Sequence, residues 1–312
     1  MSQPSGSLQP VQQVVRPTTI IEAPRLAGWL GIDLIIASES FQHTGSFKFR
    51  AAYNLAAKVP HELIIAASSG NFGQALAYAC QLLKKRCIIV MPDSSVPVKI
   101  DAVREYGGTV DLVDVKAKSR AQRVAELAAE HPEAYVASAY DDPLVIEGNA
   151  TLGTELAGLD RLFDFVIAPI GGGGLTSGII TGLRACRREV AVLGAEPLLA
   201  NDAARSLKAG TIVANDTEPQ TIADGARVLS VGKQNWAILH DGLAGIIEVS
   251  EEQIKEAVRL LFWLANLKVE PTGALSVGAL LAQPERFHGR TVCCVVSGGN
   301  ADPEMFRSLL AG

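Results

Sequence analysis

The sequence is poor in the features that announce a cysteine-rich, metal-bound or membrane protein. It has five cysteines (Cys80, Cys87, Cys186, Cys293 and Cys294) and no Cys-x-x-Cys pair. An odd count in apolar stretches argues against a disulfide framework and for reduced core thiols in a cytoplasmic protein; a nucleophilic thiol is the weaker reading. The five histidines are scattered, without His-Glu-x-x-His or other zinc spacing. No apolar run reaches the roughly 18 residues of a membrane span. Residues 1–13 are polar and lack the basic and apolar regions of a signal peptide, so residues 1–15 read as a loose tail. Net charge is −5, and the longest basic cluster is Lys84-Lys85-Arg86, which reads as a solvated helix end. That balance gives a nucleic acid nothing broad to bind.

What is abundant is Ala, Gly, Val, Ile and Leu, with few aromatics, over 312 residues. Such a chain builds one large or two medium domains, and the composition suits strands buried on both faces. Short β-rich runs alternate with helical patterns: strands at 63–67, 87–91, 110–115 and 134–137, helices at 72–83, 98–106 and 120–130. The rhythm returns with strands at 165–170, 190–195 and 291–296, a helix running to 187 and an amphipathic helix at 251–266. Repeated β-α units predict an α/β protein with open, mainly parallel sheets flanked by helices. Two segments, 58–60 and 139–143, look like crossings. Residues 58–142 then form a small domain, and 1–57 with 143–312 a large one. The cleft between them is the expected ligand site, and the crossings are candidate hinges.

Four segments carry chemistry. Gly171-Gly172-Gly173-Gly174 follows a buried strand and opens a helix, where bare N–H groups and the helix dipole cradle a phosphate. The G-x-G-x-x-G spacing fails, because the last position is Thr176 or Ser177. Gly232-Lys233 is followed by Gln234, so no P-loop is present. A compact monophosphate fits better than a dinucleotide or nucleoside triphosphate. Lys48 lies between Phe47 and Phe49, where desolvation would lower its pKa and free an amine for Schiff-base formation. Ser68-Ser69-Gly70-Asn71 is a second strand-to-helix turn, either an ordinary N-cap or a carboxylate site. Ser297-Gly298-Gly299-Asn300 ends a strand, where ligands collect in parallel sheets, or is a simple turn.

In this order the four segments resemble the fold type II (tryptophan-synthase-like) pyridoxal phosphate enzymes, and most nearly the serine/threonine dehydratases and serine racemase. Met91-Pro92, Asp141-Asp142-Pro143, Glu196-Pro197, 221–225 and 269–273 strengthen the resemblance, which runs from about Pro17 to the C-terminus. It implies a Schiff base on Lys48, with cofactor contacts from Phe47, Asn71, Gly171, Gly172, Gly173, Gly174, Leu175, Glu270, Ser297 and Gly298. Within that set Asn71 faces the phenolic oxygen and Ser297 the ring nitrogen. It implies substrate contacts from Ser68, Ser69, Gly70, Asn71, Phe72 and Tyr140, with Ser69 as a proton carrier opposite Lys48. Glu196, the Ala200 carbonyl and Asp202 match a divalent-cation site, suited to magnesium or calcium.

The implied activity is α,β-elimination of a β-hydroxy amino acid such as L-threonine or L-serine, giving a 2-keto acid and ammonia. Alternatives are a serine- or aspartate-type racemase using Lys48 and Ser69, β-replacement, or a non-catalytic sensor. The implied assembly is a homodimer with a small amino-acid substrate and no nucleic-acid or membrane partner. Four positions depart from the family pattern: Phe72 stands for histidine, Ala51 for glycine, Asn149-Ala150 for Gln-Gly, and Tyr140 for Phe or Asn. The pocket is therefore expected to prefer something other than plain L-threonine. The chain ends soon after Asn300, so isoleucine feedback is not expected.

Overall fold

The computed structural model describes residues 9–311. Its first half comprises α1 (Val11–Val14), β1 (Thr19–Glu22), α2 (Pro24–Leu30), β2 (Asp33–Ser38), α3 (Lys48–Lys58), β3 (Leu63–Ala67), α4 (Asn71–Leu83), β4 (Arg86–Pro92), α5 (Pro97–Glu105), β5 (Thr109–Val113), α6 (Arg120–Glu130) and β6 (Tyr135–Ala137). The second half comprises α7 (Pro143–Ala157), β7 (Phe165–Pro169), α8 (Gly174–Ala185), β8 (Ala191–Pro197), α9 (Asp202–Ala209), α10 (Lys233–Gly242), β9 (Leu243–Val249), α11 (Glu251–Ala265), α12 (Pro271–Ala282), α13 (Pro284–Phe287), β10 (Thr291–Val296) and α14 (Pro303–Leu310).

The strands form two sheets. One has the order β1-β2-β10-β7-β8-β9, the other β5-β4-β3-β6. Every pairing is parallel except β1 with β2, where the edge strand runs antiparallel. The mainly parallel α/β architecture expected from the alternation is thus the one found. All four strands of the smaller sheet lie within 63–137, between the two predicted crossings.

Burial follows from this layering. The central strands of the larger sheet, β2, β10, β7 and β8, are mostly apolar and buried because helices cover both faces. Leu34, Ile36, Ile167, Val292 and Cys294 pack against α11 and α12, while Ile35, Val166, Ala168, Cys293 and Val295 face α7 and α8. α6 and α11 begin with capping boxes, Ser119 with Gln122 and Ser250 with Gln253.

Two expectations need correction. Residues 11–15 are not loose: Val11 and Val15 are buried in the same apolar cluster as Phe49, Tyr53 and Leu55 of α3, since apolar side chains there gain by leaving water. Residues 1–8 lie outside the described residues. Nor are all the cysteines buried. Cys80, Cys87, Cys293 and Cys294 are, but Cys186 is exposed where α8 ends. Among the described residues no helix is long and apolar enough to cross a membrane.

Candidate active site

The two sheets present their strand ends to one cleft. Lys48 is the first residue of α3, and a short antiparallel bridge between Ser46 and Gly298 ties its approach to the end of β10. The Phe47 N–H donates to the Ser297 carbonyl at 3.0 Å. This chain path brings two motifs some 250 residues apart into register. The Lys48 ammonium is 5.0 Å from the centre of the Phe47 ring and 5.8 Å from that of Phe72, and it donates to the Ala139 carbonyl at 2.7 Å. Burial lowers its pKa to about 8, against the pull of the Glu270 carboxylate, which raises it.

Asn71 opens α4 at the other wall. Its Nδ2 donates to Glu270 Oε1 at 2.8 Å, and its Oδ1 accepts from Asn300 Nδ2 at 2.8 Å. Glu270 caps α12 and is 5 % exposed; burial, reinforced by the charge of Asp224, pushes its carboxyl up to about 7. Ser68 Oγ accepts from the Gly73 N–H at 3.0 Å, which shapes the turn before α4. The N–H groups of Ser69, Asn71 and Phe72 meet no acceptor among the described residues. That is the chemistry of a carboxylate-binding helix start. Phe72 is 2 % exposed and forms an apolar wall beside Lys48.

The glycine run turns from β7 into α8. No acceptor among the described residues takes the N–H groups of Gly171 to Gly174. A Cβ on Gly172 would lie 2.2 Å from the Tyr140 ring, and Gly173 has φ +94. Only glycine fits these two positions, and the free donors suit a phosphate. Asn235 Nδ2 clamps the run by donating to the carbonyls of Gly172 and Tyr140 at 2.7 and 3.0 Å. Leu175 is buried behind the run. Free N–H groups on glycines, a lysine with a lowered pKa and the Asn71 amide donor make a donor set that fits pyridoxal phosphate.

The structure therefore gathers Phe47, Lys48, Ser68 to Phe72, Tyr140, the glycine run, Glu270, Ser297 and Gly298 around one cleft. A cavity of about 470 Å³ opens behind this wall rather than over Lys48, lined by Arg16, His43, Gln74 and Asn300 among others. Glu196 and Asp202 form a separate pair, both fully buried. Glu196 accepts from the Ala203 and Ala204 N–H groups, each at 2.9 Å, and Asp202 accepts from the Val231 N–H at 2.7 Å. Burial pushes both carboxyls up, Asp202 to about 6. Ala200 is buried in the turn before α9. Among the described residues no three His, Cys, Asp or Glu side chains cluster as a metal site, so any cation here would need backbone oxygen.

Sequence reading gave no role to Arg50, Asn300 or Asp224. Arg50 is wholly buried among Glu39, Glu155, Thr18 and Thr151. The Lys-x-Arg spacing held a hint, since a charged residue on the apolar face of α3 must find partners. Asp224 pairs with Lys99 at 2.7 Å, joining α5 to the turn beside the glycine run.

Comparison with known proteins identifies the family. The model of the family described as "Pyridoxal-phosphate dependent enzyme" matches residues 11–298. The L-threo-3-hydroxyaspartate ammonia-lyase of Pseudomonas sp is 36% identical over 299 residues, 95% of this chain and 93% of that protein. The serine racemase of Bos taurus is 33% identical, covering 94% of this chain and 90% of that one. A solved threonine deaminase from T.th. superposes with a TM-score of 0.88 at 40% identity, covering 94% of this chain and 95% of that one. The family model spans every strand of both sheets, and the chain belongs to the pyridoxal-phosphate dependent enzyme family.

Proposed function

We propose that the protein is an ammonia-lyase that eliminates the β-hydroxyl of a small amino acid, L-threonine-like, L-serine-like or a 3-hydroxyaspartate, to give a 2-keto acid and ammonia. The observation that carries this is the Lys48 amine, lowered to about 8 and set beside the Phe47 and Phe72 rings, together with two helix-start turns whose N–H groups meet no acceptor among the described residues. In this reading Gly171 to Gly174 hold the cofactor phosphate and Lys48 holds its aldehyde carbon. Asn71 faces the phenolic oxygen and Ser297 the ring nitrogen. When bound, pyridoxal phosphate supplies an electron sink for a carbanion at Cα.

The protein's own groups do the rest. The Ser68–Phe72 turn binds the substrate carboxylate through N–H groups. Lys48, once its amine is free, takes the Cα proton, a task suited to a base poised near neutral pH. Ser297 is a neutral hydroxyl, 2 % exposed, and offers the ring nitrogen no countercharge, which favours loss of the β-hydroxyl over build-up of a carbanion. The relatives named threonine deaminase and L-threo-3-hydroxyaspartate ammonia-lyase support the same reaction class on two substrates. Phe72 removes a polar group from the carboxylate wall, so plain L-threonine is not the favoured substrate. The assembly that goes with this reading is a homodimer, testable by sedimentation.

A second reading has one observation in its favour. Ser69 Oγ has no hydrogen-bond partner among the described residues and sits in the carboxylate turn, free to carry a proton for racemisation. One experiment separates the readings. The holoenzyme is given L-threonine, L-serine and L-threo-3-hydroxyaspartate in turn, with keto acid and ammonia followed and the remaining amino acid resolved on a chiral column. Keto acid, lost in Lys48→Ala, supports the lyase. D-amino acid without keto acid, lost in Ser69→Ala, supports the racemase. A spectral change with neither product would leave a binding protein and overturn both.

A further inference from the structure

Asn300 ends one of the four turns and reaches back across the cleft wall. Its Nδ2 donates to two acceptors, the Thr44 carbonyl at 2.7 Å and Asn71 Oδ1 at 2.8 Å. The first partner is a backbone carbonyl, which only accepts, so the amide of Asn300 has one possible orientation. A second contact enforces it. The place where a Cβ would stand on Gly45 is 2.3 Å from Asn300 Oδ1, so the carbonyl end of Asn300 seats against a glycine held at φ +72. Thr44, just before it, is a β-branched residue at φ 61, a conformation such residues rarely adopt. The strained turn thus places the Thr44 carbonyl against Asn300.

The orientation is passed on. With Asn300 donating at 2.8 Å, and Gln74 Nε2 adding a longer contact at 3.4 Å, Asn71 Oδ1 is the accepting end, and Asn71 Nδ2 turns to Glu270 Oε1 at 2.8 Å. Its second N–H has no partner among the described residues. We infer that Asn300 is a positioning residue that fixes the Asn71 amide as a hydrogen-bond donor toward the ring oxygen of the cofactor. The inference rests on the reading that pyridoxal phosphate binds in this cleft. A donor there stabilises the anionic ring oxygen, whose bound form absorbs in the visible, against the neutral form, which absorbs in the near ultraviolet. A donor to a charged group is worth roughly a tenfold shift or more in that balance.

The test compares Asn300→Asp with Asn300→Ala in the protein reconstituted with pyridoxal phosphate, reading the ratio of visible to near-ultraviolet absorbance and its pH titration. Asp is nearly isosteric but only accepts. It repels the Thr44 carbonyl and turns the Asn71 amide round, so its oxygen faces the cofactor. The expected result is a visible fraction roughly tenfold lower in Asn300→Asp, with a smaller loss in Asn300→Ala. If Asn300 merely fills space, the order reverses, because Ala leaves the void. An Asn300→Ala spectrum as altered as that of Asn300→Asp, or an unaltered Asn300→Asp spectrum, overturns the inference. Should Asn300→Asp not fold, Asn71→Asp tests the same link from the other end. It gives the cofactor no donor and must lower the visible fraction similarly, and a wild-type spectrum there overturns the inference. A wild-type protein that gains no visible band with pyridoxal phosphate overturns the cofactor reading itself, and the inference with it.

Discussion

Arg50 and Glu39 meet as a two-pronged ion pair, Nε to Oε2 at 2.7 Å and Nη2 to Oε1 at 2.9 Å, with neither side chain exposed. Glu155 adds contacts at 2.7 and 3.1 Å from α7. The cluster joins the end of β2, the helix that begins with Lys48, and α7. Removing one partner of such a buried pair strands the other's charge. Arg50→Met is therefore expected to lower unfolding free energy by about 3–5 kcal/mol in urea titrations. Arg50→Lys should recover only part, because a point charge cannot serve both carboxylates as the planar fork does. A loss below about 1 kcal/mol would mean that packing alone holds this junction.

The amine of Lys48 sets a pH dependence for cofactor capture. Only the neutral amine attacks an aldehyde. With burial lowering its pKa to about 8 from 10.5, the neutral fraction rises about tenfold per pH unit up to about 8 and then levels. Stopped-flow growth of the visible band on mixing with pyridoxal phosphate should show its midpoint near pH 8. A rate still climbing at pH 10 would show that the amine is solvated and the phenyl rings do not desolvate it.

Glu270 opposes that shift, so its removal has a definite sign. Glu270→Gln deletes the negative charge that raises the Lys48 pKa, and the capture midpoint should move below 8. Glu270 itself titrates about 7 when folded against 4.5 when free, burial being the main cause. Between those values the folded chain keeps a proton that the unfolded chain releases. Its contribution to stability therefore falls as pH rises from about 4.5 to 7. Melting curves across that window should flatten in Glu270→Gln, and an unchanged slope would place the carboxyl in contact with water.

The parts of this fold that are legible in the amino-acid sequence are those with strong local signals. The strands 63–67 and 291–296 and the helix 120–130 are predicted to the residue, because apolar β-branched runs end at turn residues and Ser119 makes a capping box. α12 is not, since it is buried on nearly every side and shows no polar stripe. α7 escapes for a similar reason, with glycines inside an apolar stretch. β9 carries a register shift against β8 at Val192/Leu193 and reads as neither strand nor helix. Of the candidate site, the glycine run and Lys48 stand out in the sequence because each has its own chemistry. The chain from Thr44 through Asn300 to Asn71 is not, because its meaning lies in contacts across more than 200 residues of sequence.

Glu196 and Asp202 form no ion pair with any cationic side chain among the described residues, although both are fully buried. Two such carboxylates with a backbone carbonyl at Ala200 suit a hard divalent cation. Magnesium or calcium at a hundred times its dissociation constant should then raise stability by about 2.7 kcal/mol. Differential scanning calorimetry with and without a chelator reads this directly. The gain should vanish in Asp202→Asn; a gain of equal size in that variant would place the cation elsewhere.

Tyr140 leaves the least room at any glycine of the run, since a Cβ on Gly172 would stand 2.2 Å from two atoms of its ring. Gly172→Ala must therefore push the ring away or displace the loop from α8. Overpacking of this kind costs about 1–3 kcal/mol, and displaced N–H groups would weaken phosphate binding as well. The two causes separate in a double-mutant cycle. If the clash is with the ring, Gly172→Ala should cost far less in a Tyr140→Ala background, a coupling of about 1 kcal/mol or more in both melting and pyridoxal phosphate affinity. If the two substitutions add independently, the ring does not constrain the run, and Gly172 is needed for the backbone's approach to the phosphate alone. A measured coupling would link the expected substrate residue to the expected phosphate cradle. Tyr140 is the residue expected to meet the amino acid, and its backbone carbonyl shares the Asn235 amide with the Gly172 carbonyl.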